Sequence, residues 1–110
     1  MIRILLVEDS LVSKEYLLYL ISRESDLKVI ATASNGKEAV ELALKYKPDV
    51  ITMDINMPKL NGFQATREIM EKSPIPIIIV TASWDPKHVS TTFQALEAGA
   101  VSVIPKPLGS

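Results

Sequence analysis

Cysteine is absent from the 110 residues, so the chain has no disulfide framework, no thiolate metal site and no thiol redox chemistry. Histidine is nearly absent: the single one, His88, falls early in an amphipathic segment and reads as a surface residue without a role. An excess of either charge is lacking too. Twelve Lys+Arg stand against thirteen Asp+Glu, a net −1 that excludes a generally basic nucleic-acid binder. Long apolar runs are missing. The N-terminal one, residues 2–7, gives way to Glu8-Asp9 and is too short for a signal peptide or a spanning helix, so no membrane partner and a cytoplasmic location are expected. There is no GxGxxG, no P-loop, no G-x-S-x-G elbow, no internal repeat and no linker.

What is present is apolar in quantity and regular in arrangement. With 47% hydrophobic and 23% charged residues, the chain can bury a core without staples, and one domain over residues 1–110 is expected. Apolar runs alternate with helical periods. Strands are expected at 2–7, 27–31, 50–53, 77–80 and 101–104. Helices are expected at 10–22, capped by Asp9 or Ser10, at 37–46 after the Ser34-Asn35-Gly36 turn, and at 62–72 after Asn61. A fourth helix starts at Asp85-Pro86, carries Val89, Phe93 and Leu96 at i, i+4 and i+7, and stops at Gly99. Right-handed crossovers make this βαβαβαβαβ pattern a parallel sheet with helices on both faces. No helix follows the fifth strand, so one face near it lacks a cover. Pairing of two copies through that face, as a homodimer, would supply one.

In an open parallel sheet, ligands bind beyond the carboxyl ends of the strands. Those ends carry Glu8-Asp9, Asp54, Thr81 and Lys106. Taken singly, each has an ordinary explanation: Asp9 as a cap, Asp54 as a turn residue before Pro58, Thr81 as a strand end, Lys106 as a solvated charge. Together they bring three carboxylates, a hydroxyl and an ammonium into one pocket. Crowded carboxylates need a cation, and with oxygen donors only that cation is hard, with Mg²⁺ the best match. A metal, a lysine, a hydroxyl and a nucleophilic carboxylate make a constellation for phosphoryl transfer through an aspartyl phosphate.

These motifs, LLVEDS, MDINMPKLNG, Thr81-Ala82 after IIIV, and VIPKP, resemble the receiver domain of two-component response regulators over essentially the whole chain. Within that family, PDVITMDINMP, EAGAVSVIPKP and the closing KPLGS look most like the receivers of chemotaxis protein-glutamate methylesterases. The resemblance implies a flavodoxin-like, doubly wound five-stranded sheet of order 2-1-3-4-5 that lacks the family's last helix. It implies that Asp54 accepts phosphate from a sensor histidine kinase. Glu8, Asp9, Asp54 and the Asn56 carbonyl would hold Mg²⁺. Thr81 and Lys106 would bind the phosphoryl group, and the Lys106–Pro107 bond would be cis. The partner downstream would be an output domain, in cis or in trans, and any esterase residues would lie beyond Ser110, so this chain alone would not be an enzyme. Val103 stands where receivers commonly carry Tyr or Phe. Trp84 is expected on the pocket rim, and Asn56 and Ser83 beside the path of an attacking water. Two rival readings fit less well. An aspartyl-phosphate phosphatase would need a second Asp where Asn56 stands, and a non-phosphorylated interaction module would need a broken pocket.

Overall fold

The computed structural model describes residues 1–82 and 88–107. Nine elements alternate: β1 (Ile2–Val7), α1 (Leu11–Ser22), β2 (Leu27–Ala33), α2 (Gly36–Tyr46), β3 (Val50–Met53), α3 (Gly62–Lys72), β4 (Ile77–Thr81), α4 (His88–Ala98) and β5 (Ser102–Pro105). The strands form one parallel sheet in the expected order, β2-β1-β3-β4-β5. β1 is flanked on both sides, and Ile4, Leu5, Leu6 and Val7 are buried, which is why its sequence is apolar without alternation.

Local chemistry places the helix starts. Ser10, not Asp9, caps α1: its hydroxyl accepts from the Ser13 amide at 3.3 Å. The Asn35 side chain accepts from the Glu38 amide at 2.8 Å, and Asn61 forms a reciprocal capping box with Gln64. Two of these starts press on the loop that follows β3. A Cβ on Gly62 would overlap the Asp54 carbonyl oxygen, and one on Gly36 would overlap the Leu60 carbonyl. Glycine lets both helices close on that loop.

Two expectations change, and one point the sequence left open is settled. β2 continues two residues past Ala31, because its ladder with β1 runs on to Val7↔Ala33 beyond a register shift at Ile4/Leu5. The Val89, Phe93, Leu96 stripe faces outward, at 79%, 64% and 51% exposure. α4 packs instead through the small residues Ala95 and Ala98, because helical spacing defines a face without saying which face finds a partner. Lys106–Pro107 is trans, the intrinsically preferred isomer of an X–Pro bond. The Asp85-Pro86 cap, Trp84 and Ser83 lie outside the described residues.

The two faces of the sheet are unequally covered. Leu5, Val7, Ile51, Met53, Ile77 and Ile79 enter the main core with α2, α3 and α4, and Val103 packs against it half-buried. On the other face, α1 contributes no fully buried residue, Ile104 is 44% exposed, and Ile78 is only half-buried. The thin cover expected near β5 is therefore present in the structure.

Candidate functional site

The sheet ladder itself positions the site. At the carboxyl edge, the Glu8 amide donates to the Ala33 carbonyl (2.9 Å), the Asp54 amide to the Val7 carbonyl (3.1 Å) and the Lys106 amide to the Thr81 carbonyl (2.8 Å). Each of these residues sits one step past its strand and still pairs with the neighbouring one. Their backbones are therefore as fixed as the sheet, and their side chains project beyond it. The registers Val7↔Met53 and Thr81↔Pro105 level the end of β1 with that of β3 and the end of β4 with that of β5, and Met53↔Ile79 sets the second pair two residues further along the sheet.

Three side chains converge. Lys106 Nζ lies 3.0 Å from each carboxylate oxygen of Glu8 and 3.6 Å from Asp54 Oδ1. Glu8 is 1% exposed, and its Oε2 also accepts from the Ser10 amide at 3.0 Å. Asp54 is buried as well, and its Oδ1 accepts from the Ile55 amide at 2.9 Å. A carboxylate this enclosed is tolerable only when its lone pairs meet donors and cations, and here they do.

The balance still leaves Asp54 short of positive charge. Its carboxyl is pushed up from 3.8 to about 6. Burial is the main cause, followed by the hydrogen bond and the charge of neighbouring Glu8. Lys106 and the Ile55 amide pull the other way without cancelling the rise.

Of the residues singled out in the sequence, the structure thus gathers Glu8, Asp54 and Lys106. Thr81 is buried at the adjoining end of β4, backbone-bonded to Lys106. Asp9 and Asn56 are exposed, on the two loops that leave β1 and β3. Among the described residues, no three His, Cys, Asp or Glu side chains are grouped closely enough to hold a metal in common, so the three-carboxylate cluster is a pair with Asp9 on its solvent side. The donors that sequence reasoning missed are the Ser10 and Ile55 amides. As backbone groups they leave no trace in residue type.

The arrangement defines a class: a doubly wound parallel α/β domain with two carboxyl groups and a lysine at the carboxyl edge of its sheet, where ligands of such sheets bind. The comparisons take this further. The chain belongs to the response regulator receiver domain family, whose profile matches residues 4–110. It is 54% identical over 109 residues to a protein-glutamate methylesterase/protein-glutamine glutaminase of Nitrosospira multiformis, a match covering 99% of this chain and 31% of that protein. It therefore spans about a third of the length of the curated relatives it matches. Its fold is similar to the response regulator domain of Thermotoga maritima CheB, with TM-score 0.90, 45% identity, and 99% and 81% of the two chains covered. It is also similar to a chain of the CheX-CheY-BeF3-Mg²⁺ complex of Borrelia burgdorferi, with TM-score 0.87, 30% identity, and 98% and 80% covered.

By donor type the residues suit a hard divalent cation, with Asp9 set apart from the buried pair. Every side chain and carbonyl in question offers oxygen, and the raised Asp54 carboxyl marks a place where more positive charge would be stabilising. Asp9 and the Asn56 loop flank the buried pair in sequence and on the open side.

Proposed function

We propose that this chain is a phosphorylation-controlled switch, a single receiver domain over residues 1–110 in which Asp54 takes a phosphoryl group from the phosphohistidine of a sensor kinase. The observation that carries this reading is the convergence of Asp54, Glu8 and Lys106 at the strand ends. In the transfer, a carboxylate oxygen of Asp54 attacks phosphorus, the P–N bond breaks, and the leaving imidazole nitrogen takes up a proton. Glu8, Asp9, Asp54 and the Asn56 carbonyl are the residues that would hold Mg²⁺, which when bound neutralises charge on the phosphoryl oxygens. The Mg²⁺ and BeF3 of the Borrelia complex support that choice. Lys106 supplies a point charge to the phosphoryl group and Thr81 a hydroxyl. The added charge, roughly −2, then biases the chain around Thr81 at the end of β4.

The named function of the longer relatives supports a protein-glutamate methylesterase as the output domain; on this reading the chain would work in a cytoplasmic chemotaxis pathway. Its catalytic residues would lie outside this chain. Incubation with acetyl phosphate and Mg²⁺ followed by intact-mass analysis should add one phosphoryl group to the chain and none to Asp54→Asn. No uptake by the unaltered chain, or full uptake by Asp54→Asn, overturns the assignment.

A further inference from the structure

A hydroxyl deep in α3 reaches the acceptor side chain through the backbone. Thr66 is fully buried, one turn into the helix and beside the core residues Ala65 and Ile69. A hydroxyl there is costly unless it is bonded, and an aliphatic side chain would fill the place without that cost. Thr66 Oγ1 donates to the Gly62 carbonyl at 2.7 Å. The Gly62 amide in turn donates to the Ile55 carbonyl at 2.8 Å, and the Ile55 amide donates to Asp54 Oδ1 at 2.9 Å. Gly62 is thus gripped on three sides: by Thr66 at its carbonyl, by Ile55 at its amide, and by the Asp54 carbonyl oxygen, which a Cβ would strike.

A hydroxyl that bonds back to the carbonyl four residues earlier bends its helix at that turn. Here the bend falls on the first turn of α3, the turn that closes on the 54–62 loop. At the far end of the same chain of bonds, the Ile55 amide holds Oδ1 and so fixes the rotation of the Asp54 carboxyl plane. In-line attack on phosphorus depends on that angle, and small misplacements are expensive in rate.

We propose that Thr66 is a positioning residue for phosphoryl transfer: its hydroxyl seats Gly62 against the loop and, through the Gly62–Ile55 bond, sets the Ile55 amide that aims the Asp54 carboxylate. Thr66 itself lies in the core of α3 and acts through the backbone alone. This role rests on the reading of Asp54 as the acceptor.

Thr66→Val keeps the shape and removes the hydroxyl, and the Gly62 carbonyl retains its partner in the helix ladder, so the variant should fold. With acetyl phosphate and Mg²⁺ in excess, its uptake rate should fall about three- to tenfold. The Ile55 amide resonance should move in the NMR spectrum of the unphosphorylated variant. Thr66→Ser, which returns the hydroxyl, should restore both. Ile69→Val, in the same buried face of α3 but outside the chain of bonds, should lower the melting midpoint at least as far while leaving the rate and the Ile55 amide unchanged. An unchanged rate or Ile55 amide in Thr66→Val, no recovery in Thr66→Ser, or an equal slowing in Ile69→Val overturns the role of Thr66 and leaves Asp54 as the acceptor. If the unaltered chain takes up no phosphate, the acceptor reading itself fails, and this role with it.

Discussion

Asp54 is expensive to keep ionised in the metal-free chain, and this has a measurable sign. A carboxyl that rises from 3.8 to about 6 on folding binds its proton more tightly in the native state. Its contribution to stability is therefore complete below about pH 4 and is lost as pH rises through 6. Denaturant melts without metal should show this loss between pH 4 and pH 7. Asp54→Asn should remove that slope and stabilise the chain at pH 7 by roughly 1–2 kcal/mol, a neutral amide replacing a crowded charge. A variant no more stable than the parent at pH 7 contradicts the crowding. Glu8 differs in kind, since it is buried against Lys106 and the Ser10 amide. Removing Lys106 alone would leave it without its cation.

Among the elements, α3 and α4 show how differently two amphipathic helices can sit. α3 buries Ala65, Thr66 and Ile69 and begins at Gly62, hard against the Asp54 carbonyl. Gly62→Ala must push the 54–62 loop away from the helix. It should cost at least about 2 kcal/mol in melts and slow phosphoryl uptake at Asp54, while an unchanged uptake rate would show the loop free to yield. α4 turns its largest apolar side chains outward. Phe93→Ala should therefore cost less than about 1 kcal/mol, whereas Ile69→Ala should cost about 3–4. Similar losses for the two would mean that the α4 stripe is covered in solution.

At the scale of the whole molecule, the uneven cover of the sheet dominates. The α2-α3-α4 side holds a closed core. The α1 side leaves Ile104 largely exposed and Ile78 half-exposed, with Leu11, Val12 and Tyr19 of α1 open to solvent. Apolar surface of this kind favours association. Sedimentation should show self-association of the 110-residue chain as concentration rises, and Ile104→Lys should weaken it. A strict monomer at high concentration would show that the exposed side chains are too scattered to act as one patch.

Much of this architecture is legible in residue order, because alternating apolar runs and helical periods, separated by Ser10, Asn35 and Asn61 caps, leave a parallel sheet with crossover helices as the consistent solution. The acidic and basic residues at the strand ends follow from the same reading, since parallel strands deliver their carboxyl ends to one edge. Three things were settled only by the tertiary structure. Helical spacing marks Val89, Phe93 and Leu96 as one face, but Ala95 and Ala98 allow the close approach that packs α4 by its opposite side. Sequence assembles three acids, yet burial selects Glu8 and Asp54 and leaves Asp9 outside, because consecutive residues leaving a strand point to opposite sides. And nothing in residue type reveals that Lys106 rests on Glu8: that depends on distances of 3.0 and 3.6 Å between side chains 98 and 52 positions apart, which only the folded sheet brings together.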